Sequence, residues 1–215
     1  MPIRAVIFDL DGVIVSTDEC HYLGWKRLAD EEGIYFDRAI NQRCRGVSRM
    51  ESLAVVLERS ARTYSAAEKL QLADRKNSYY RQSLATITPA DILPGTLDFL
   101  AALRRRGILQ AIGSSSRNTP TILQRIGLAD WFDAVADGND ITHSKPDPEV
   151  FLSAAAKLRV PPEQCLVVED ADAGITAALA AGMKALVVGS AASDPRAHAR
   201  VQDLTGITPD AALAL

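Results

Sequence analysis

The chain has 215 residues, 47% of them hydrophobic and 24% charged, and a formal net charge of −3. That length and balance fit one large globular domain, or a domain carrying an insertion, and give no basis for a nucleic-acid or membrane partner. Cys20, Cys44 and Cys165 stand far apart without metal-type Cys/His spacing, which argues against a disulfide framework and suits a reducing cytoplasm. The first apolar run is cut by Asp9 and Asp11, unlike a secretory signal, and no window reaches transmembrane length.

In chain order, Ile3 with Ala5, Val6, Ile7 and Phe8 predicts a buried parallel strand that runs straight into Asp9 and Asp11. A helix is expected over 17–32, capped by Thr17 or Asp18 and stopped by Gly33, with Leu23, Leu28 and Ala29 near Trp25 as a partial apolar stripe. From 37 to 84 the pattern stays helical, with Leu53, Val56, Leu57, Leu70 and Ala73 as apolar positions and no strand-like run. The α/β rhythm returns after Pro89. Helices are expected over 96–106, 120–126, 148–158 and 173–181, and strands over 108–113, 132–136, 166–168 and 185–189. Arg104, Arg105 and Arg106 read as a solvated helix end, where cations suit the helix dipole. Cys165 reads as a small buried hydrophobe. The stretch from Ser190 is Ala-rich and weakly patterned. Strands alternating with helices define an α/β fold with a parallel sheet covered on both faces.

Four polar clusters follow four of these strands: Asp9 with Asp11, Ser114 to Asn118, Lys145, and Glu169 with Asp170. All four gather at the carboxyl edge of one sheet, where open α/β sheets bind ligands. Residues two apart on an extended segment point the same way, so Asp9 and Asp11 face one pocket, and Gly12 permits the chain to leave sharply. Asp9, Glu169 and Asp170 are hard oxygen ligands of the kind Mg²⁺ takes. Ser114 and neighbouring backbone N–H groups can hold phosphate oxygens, and Lys145 can offset phosphoryl charge. Asp9 is then a candidate nucleophile and Asp11 a candidate general acid and base.

The pattern Asp9-x-Asp11-Gly12-Val13, then Ser114, Lys145 and Glu169-Asp170, resembles the haloacid dehalogenase superfamily of phosphotransferases across essentially the whole chain. The resemblance implies a Rossmann-like parallel-sheet core over 1–15 and 88–215, with an inserted all-helical cap domain over 16–87. It implies an aspartyl phosphate on Asp9, and Mg²⁺ held by Asp9, the main-chain carbonyl of Asp11 and Asp170, with Glu169 close by.

Within the superfamily the segment 16–87 is similar to the β-phosphoglucomutase branch, through His21-Tyr22-x-x-Trp25, Arg45-Gly46-Val47-Ser48-Arg49 with Ser52, and Arg75-Lys76-Asn77. By that likeness Arg49 grips the phosphate that is not being transferred, assisted by Ser116, Arg117 and Asn118 beside Ser115. His21 and Lys76 help orient Asp11 and the sugar, while Trp25, Gly46, Val47, Ser48 and Ser52 complete the substrate wall. The implied reaction interconverts β-D-glucose 1-phosphate and glucose 6-phosphate through a bisphosphate. A small-molecule sugar phosphate is the expected partner, with the protein a monomer. Ser16, Arg45 and Arg117 depart from the branch, which usually has Asp, Lys and Lys there, and these changes bear on the sugar and on cap motion more than on the chemistry. The alternative is a sugar-phosphate phosphatase using the same Asp9, Asp11, Lys145 and Asp170, since only the cap separates the two. A non-catalytic phosphosugar-binding module and a phosphonate or haloacid hydrolase fit less well.

Overall fold

The computed structural model describes residues 1–189 and 195–215. Among them, β1 (Ala5–Phe8), β2 (Leu109–Gly113), β3 (Ala134–Ala136), β4 (Cys165–Glu169), β5 (Lys184–Val188) and β6 (Ala199–Val201) form one sheet. Its order is β3-β2-β1-β4-β5-β6, and every pairing is parallel. The chain walks outward from β1 to β3 and then crosses back to β4, so the order reverses beside β1 and opens a crevice at the carboxyl ends there. Phe8 lies level with Ile112 on one side and Val168 on the other. Asp9, Gly113 and Glu169, the next residue of each strand, therefore leave the sheet at the same height.

Alternation along β1 serves two cores. Val6 and Phe8 face one way, packed with residues of α5 (Thr96–Arg105) and α6 (Thr119–Arg125), among them Phe99, Leu103 and Ile122. Ala5 and Ile7 face the other, against α7 (Glu149–Leu158) and α8 (Asp172–Ala180), through Val150, Phe151, Ile175 and Ala178. Burial on both faces is why these strands read as continuous apolar runs.

Between β1 and α5 lie α1 (Asp18–Glu31), α2 (Arg38–Gln42), α3 (Arg49–Leu57) and α4 (Ala66–Leu84). They enclose a core of their own that includes Trp25, Leu28, Phe36, Leu53, Val56 and Leu72. Ser48 with Glu51, and Ser65 with Glu68, form reciprocal capping boxes at the starts of α3 and α4, each cap contributing about 1 kcal/mol. Tyr80 and Leu84 at the far end of α4 pack into the sheet's core instead. That helix ties the helical layer to the strands.

Two expectations need correction. Leu23 and Leu70 are half or more exposed, because the packed face of α1 is set by Trp25 and Leu28 and that of α4 by Leu72 and Ala73. Thr17 occupies the cap position of α1 but makes no side-chain cap bond; its hydroxyl is taken by Asp11. The arginine run is exposed at the end of α5, as expected, with Arg106 paired to Asp210 at 2.8 Å and Arg104 over the Trp131 ring. The weakly patterned end supplies β6 and α9 (Pro209–Leu213), while 190–194 lie outside the described residues. Cys165 is fully buried, as its apolar setting predicts. No helix among the described residues is long and apolar enough to cross a membrane.

Candidate active site

A cavity of about 880 Å³ lies between the carboxyl edge of the sheet and the helical layer. Its floor begins with Asp9, whose backbone N–H donates to Val168 O at 2.9 Å and so fixes it to β4. Lys145, only 1% exposed, donates to Asp9 Oδ1 at 2.6 Å and to Glu169 Oε1 at 2.7 Å. Burial alone would favour the neutral amine, but the two carboxylates outweigh it and hold the ammonium above the ordinary lysine range. The other Glu169 oxygen accepts the backbone N–H groups of Asp170 and Ala171 at 2.7 and 2.8 Å. One Glu169 oxygen thus shapes the turn after β4 while the other holds Lys145. Gly12 has φ of +85°, and a Cβ there would sit 2.0 Å from Asp170 Oδ2, so only glycine fits between the two acidic turns.

Asp9, Glu169 and Asp170 place one carboxylate oxygen each within 4.8 Å of the others, all buried. Desolvation pushes the Asp9 and Asp170 carboxyls upward, and neighbouring carboxylates push the same way. The three buried carboxylates meet the Lys145 ammonium and, at Asp170 alone, the Arg45 guanidinium, and their all-oxygen donor set suits a hard divalent cation. The residues present fit such an ion.

Asp11 turns away from this cluster. Its carboxylate accepts the Thr17 N–H and the Thr17 hydroxyl, each at 2.6 Å, and the same hydroxyl lies 3.0 Å from the Tyr80 hydroxyl. Burial first, and then the charge of Asp18, pushes the Asp11 carboxyl up to about 7 despite the Thr17 bonds. His21 Nε2 is 3.8 Å from Asp11 Oδ2, and His21 Nδ1 is 2.9 Å from Lys76 Nζ. When Lys76 is an ammonium, which has no lone pair, His21 accepts at Nδ1 and carries its proton on Nε2, toward Asp11. Burial, reinforced by Lys76 and Arg49, keeps this imidazole neutral.

The opposite wall is cationic. Lys76 is buried over the rings of Trp25 and Tyr80, at 4.6 and 4.7 Å. Burial and then the Arg49 charge lower its ammonium to about 7. Arg49 is likewise pushed down by burial, opposed by Asp74 at 3.6 Å and reinforced by Arg117. Like charges crowded in a desolvated cleft raise one another's energy, and an anion relieves it.

The structure therefore brings Asp9, Asp11, Ser114, Lys145, His21, Trp25, Gly46, Val47, Ser48, Arg49, Ser52, Lys76, Ser115, Ser116, Arg117, Asn118 and Asp170 to one cavity; Glu169 stands behind its wall. Several of their polar groups are already engaged. The Ser48 hydroxyl caps α3, Ser52 Oγ donates to Cys44 O at 3.3 Å, and Ser114 Oγ accepts the Ser116 N–H at 3.2 Å. Asn118 Nδ2 donates to Asn77 Oδ1 at 3.0 Å, and Arg117 Nε to Gly138 O at 3.0 Å. Trp25 is 1% exposed and belongs to the helical core as well as to the wall. Thr17 and Tyr80 were not expected at the site. Tyr80 carried a readable signal, since it lies one turn beyond Lys76 on α4 and so shares its face; the Thr17 contact depends on the turn after Gly12.

A family model described as haloacid dehalogenase-like hydrolase matches residues 3–182. The chain belongs to that family. It is 47% identical to β-phosphoglucomutase from Bacillus subtilis over 188 residues, covering 86% of this chain and 83% of that protein. It is also 32% identical to the fructose-1-phosphate phosphatase YqaB of Escherichia coli, covering 85% and 95% of the two chains. Among solved structures, β-phosphoglucomutase from Clostridium difficile superposes with a TM-score of 0.92 at 38% identity, covering 97% of this chain and 94% of that one.

Proposed function

We propose that this phosphoglucomutase-like phosphotransferase interconverts β-D-glucose 1-phosphate and glucose 6-phosphate, acting as a monomer with Mg²⁺. The observation that carries the reading is the pairing of two anion sites across one cavity. Asp9 and Lys145 stand on the sheet side and Arg49 and Lys76 on the helical side, while Arg117, from the loop after β2, brings its charge toward Arg49. A phosphatase needs the first alone; a mutase must also hold the phosphate that stays behind. The likeness to β-phosphoglucomutase supports the same choice.

In this reading Asp9 is the nucleophile and carries the phosphoryl group. The free hydroxyl of the bound sugar phosphate attacks phosphorus, Asp11 takes the hydroxyl proton, and the bond to Asp9 breaks to give a hexose bisphosphate. The bisphosphate then turns over in the cavity. Asp9 attacks its other phosphorus, and Asp11 returns the proton to the departing sugar oxygen. A carboxyl held near neutrality by burial is poised for both directions. Thr17, Tyr80 and His21 hold Asp11 in place, and Lys145 offsets charge building on the transferring group. Asp9, the carbonyl of Asp11 and Asp170 would hold Mg²⁺, which when bound supplies electrostatic stabilisation of phosphoryl oxygens. The helical segment 16–87 serves as the cap over the core formed by 1–15 and 88–215, and its closure keeps water from the aspartyl phosphate.

The phosphatase relatives favour one second reading, hydrolysis of a sugar phosphate at the same Asp9. Incubation with Mg²⁺, β-glucose 1-phosphate and a trace of glucose 1,6-bisphosphate separates the two. The mutase yields glucose 6-phosphate without matching phosphate release; free phosphate in its place establishes the hydrolase.

A further inference from the structure

Arg45 lies in the loop between α2 and α3, on the helical side, yet its guanidinium reaches across to the sheet edge. The same nitrogen, Nη2, hydrogen-bonds Asp170 Oδ2 and pairs with Asp18 at 3.1 Å. Asp170 is one of the three carboxylates whose oxygens fit a divalent cation, and it is 6% exposed while the Arg45 side chain is 23% exposed. The loop around Arg45 rests on the core elsewhere. A Cβ on Gly46 would lie 3.1 Å from Ala171 Cβ, and Ser144 Oγ donates to Glu51 at 2.8 Å. Arg45 is therefore a fixed cation spanning the two layers and ending on a carboxylate that a metal would use.

We propose that Arg45 is an internal counter-ion that competes with the divalent cation for Asp170, so that metal loading loosens the helical segment from the core. This rests on the metal site read above. A buried carboxylate without a cation is costly, and Arg45 neutralises it only while the helical layer is closed. A dication on Asp170 removes that need and repels the guanidinium, which weakens closure. Linkage makes the effect reciprocal: closure by Arg45 must weaken metal binding by the same factor. The displaced guanidinium has room to move, because Asp18, Arg45 and Asp170 also line a second cavity of about 290 Å³ beyond them. The consequence is an order of events. The metal-loaded protein opens and admits the sugar phosphate, whose negative charge, gripped by the cationic wall, closes it again.

The test is Mg²⁺ titration calorimetry on the full chain without substrate, paired with small-angle scattering. Arg45→Ala should bind Mg²⁺ about tenfold more tightly than the parent, within the usual range of such couplings. Arg49→Ala removes a cation from the far wall and should leave Mg²⁺ affinity within about twofold, which separates a local contest from general electrostatics. The parent's radius of gyration should rise on adding Mg²⁺, whereas Arg45→Gln, which keeps a polar side chain and loses the charge, should show the larger value with or without the ion. Equal Mg²⁺ affinity in the parent and Arg45→Ala, or equal tightening by Arg49→Ala, would overturn the proposal. No Mg²⁺ binding by any of the proteins would overturn the metal reading itself, and the proposal with it.

Discussion

The two walls of the cavity are built by different means. On the sheet side, Asp9 and Glu169 are continuations of paired strands, and Lys145 is wedged between them with almost no exposure. On the helical side, Arg49, Lys76 and His21 project from helices that near the cavity meet the sheet side through isolated polar contacts, such as Asn77 with Asn118 and Glu51 with Ser144, although the far end of α4 packs into the sheet's core. In the proposed reaction the difference separates two tasks. Groups that break and form bonds need placement to a fraction of an ångström, which adjacent strands provide. Groups that hold a substrate and let it turn need a wall that can part and close.

The comparison can be broken first at its rigid half. Lys145→Met leaves Asp9 and Glu169 buried without their cation, so it should abolish turnover and cost about 3–5 kcal/mol of stability, read by urea unfolding. Stability within 1 kcal/mol of the parent (about one measurement error of the extrapolation) would mean the sheet side does not depend on that ion pair. The helical half should fail differently. Arg49→Ala should lower mutase turnover about 10²-fold, as loss of a charge-stabilising donor does, while phosphate release falls much less. Equal losses would show that Arg49 does not grip the second phosphate.

A finer test concerns the junction of the walls. The Thr17 hydroxyl bonds the ionised form of Asp11 and so draws its pKa down against burial. Thr17→Val removes that bond, so the Asp11 pKa should rise above about 7 and the acid limb of the pH–rate profile should move to higher pH. The rate loss should be about tenfold or less, because the Thr17 N–H still donates to Asp11 and general acid–base catalysis as a whole is worth about 10²–10⁴-fold. An unchanged limb would detach Thr17 from Asp11.

Most of the rigid half was legible in the chain. Strands buried on both faces leave apolar runs of four or five residues, and each ends in a polar cluster that the shared register brings level. The motif of Asp9, Asp11, Ser114, Glu169 and Asp170 could be read because local sequence places each at a strand end or just beyond, and Lys145 joins it from the longer loop after β3. The helical half was less legible. Amphipathic periodicity gives a helix but not its neighbour, so Leu23 and Leu70 looked like core positions and are exposed. Thr17 looked like a helix cap because Asp11, six residues earlier, competes for its hydroxyl only once the turn at Gly12 brings them together. Arg45 stood out only as a departure from a pattern; its bond to Asp170 spans 125 positions and no periodicity reports it. The last strand and helix were missed because β6 is short and only partly buried, which leaves no apolar run.

The central claim is that both walls serve one bisphosphorylated sugar. Asp9→Asn keeps the side chain's size while removing the nucleophile of the proposed reaction, so ligands can be weighed without turnover. Calorimetry with Mg²⁺ should show glucose 1,6-bisphosphate binding at least about tenfold more tightly than either monophosphate, since a second charge-assisted phosphate contact is worth about 1.5–3 kcal/mol. Arg49→Ala in the same background should erase that advantage. Equal affinity for the bisphosphate and the monophosphates, with Arg49 intact, would contradict the account and leave a one-phosphate site.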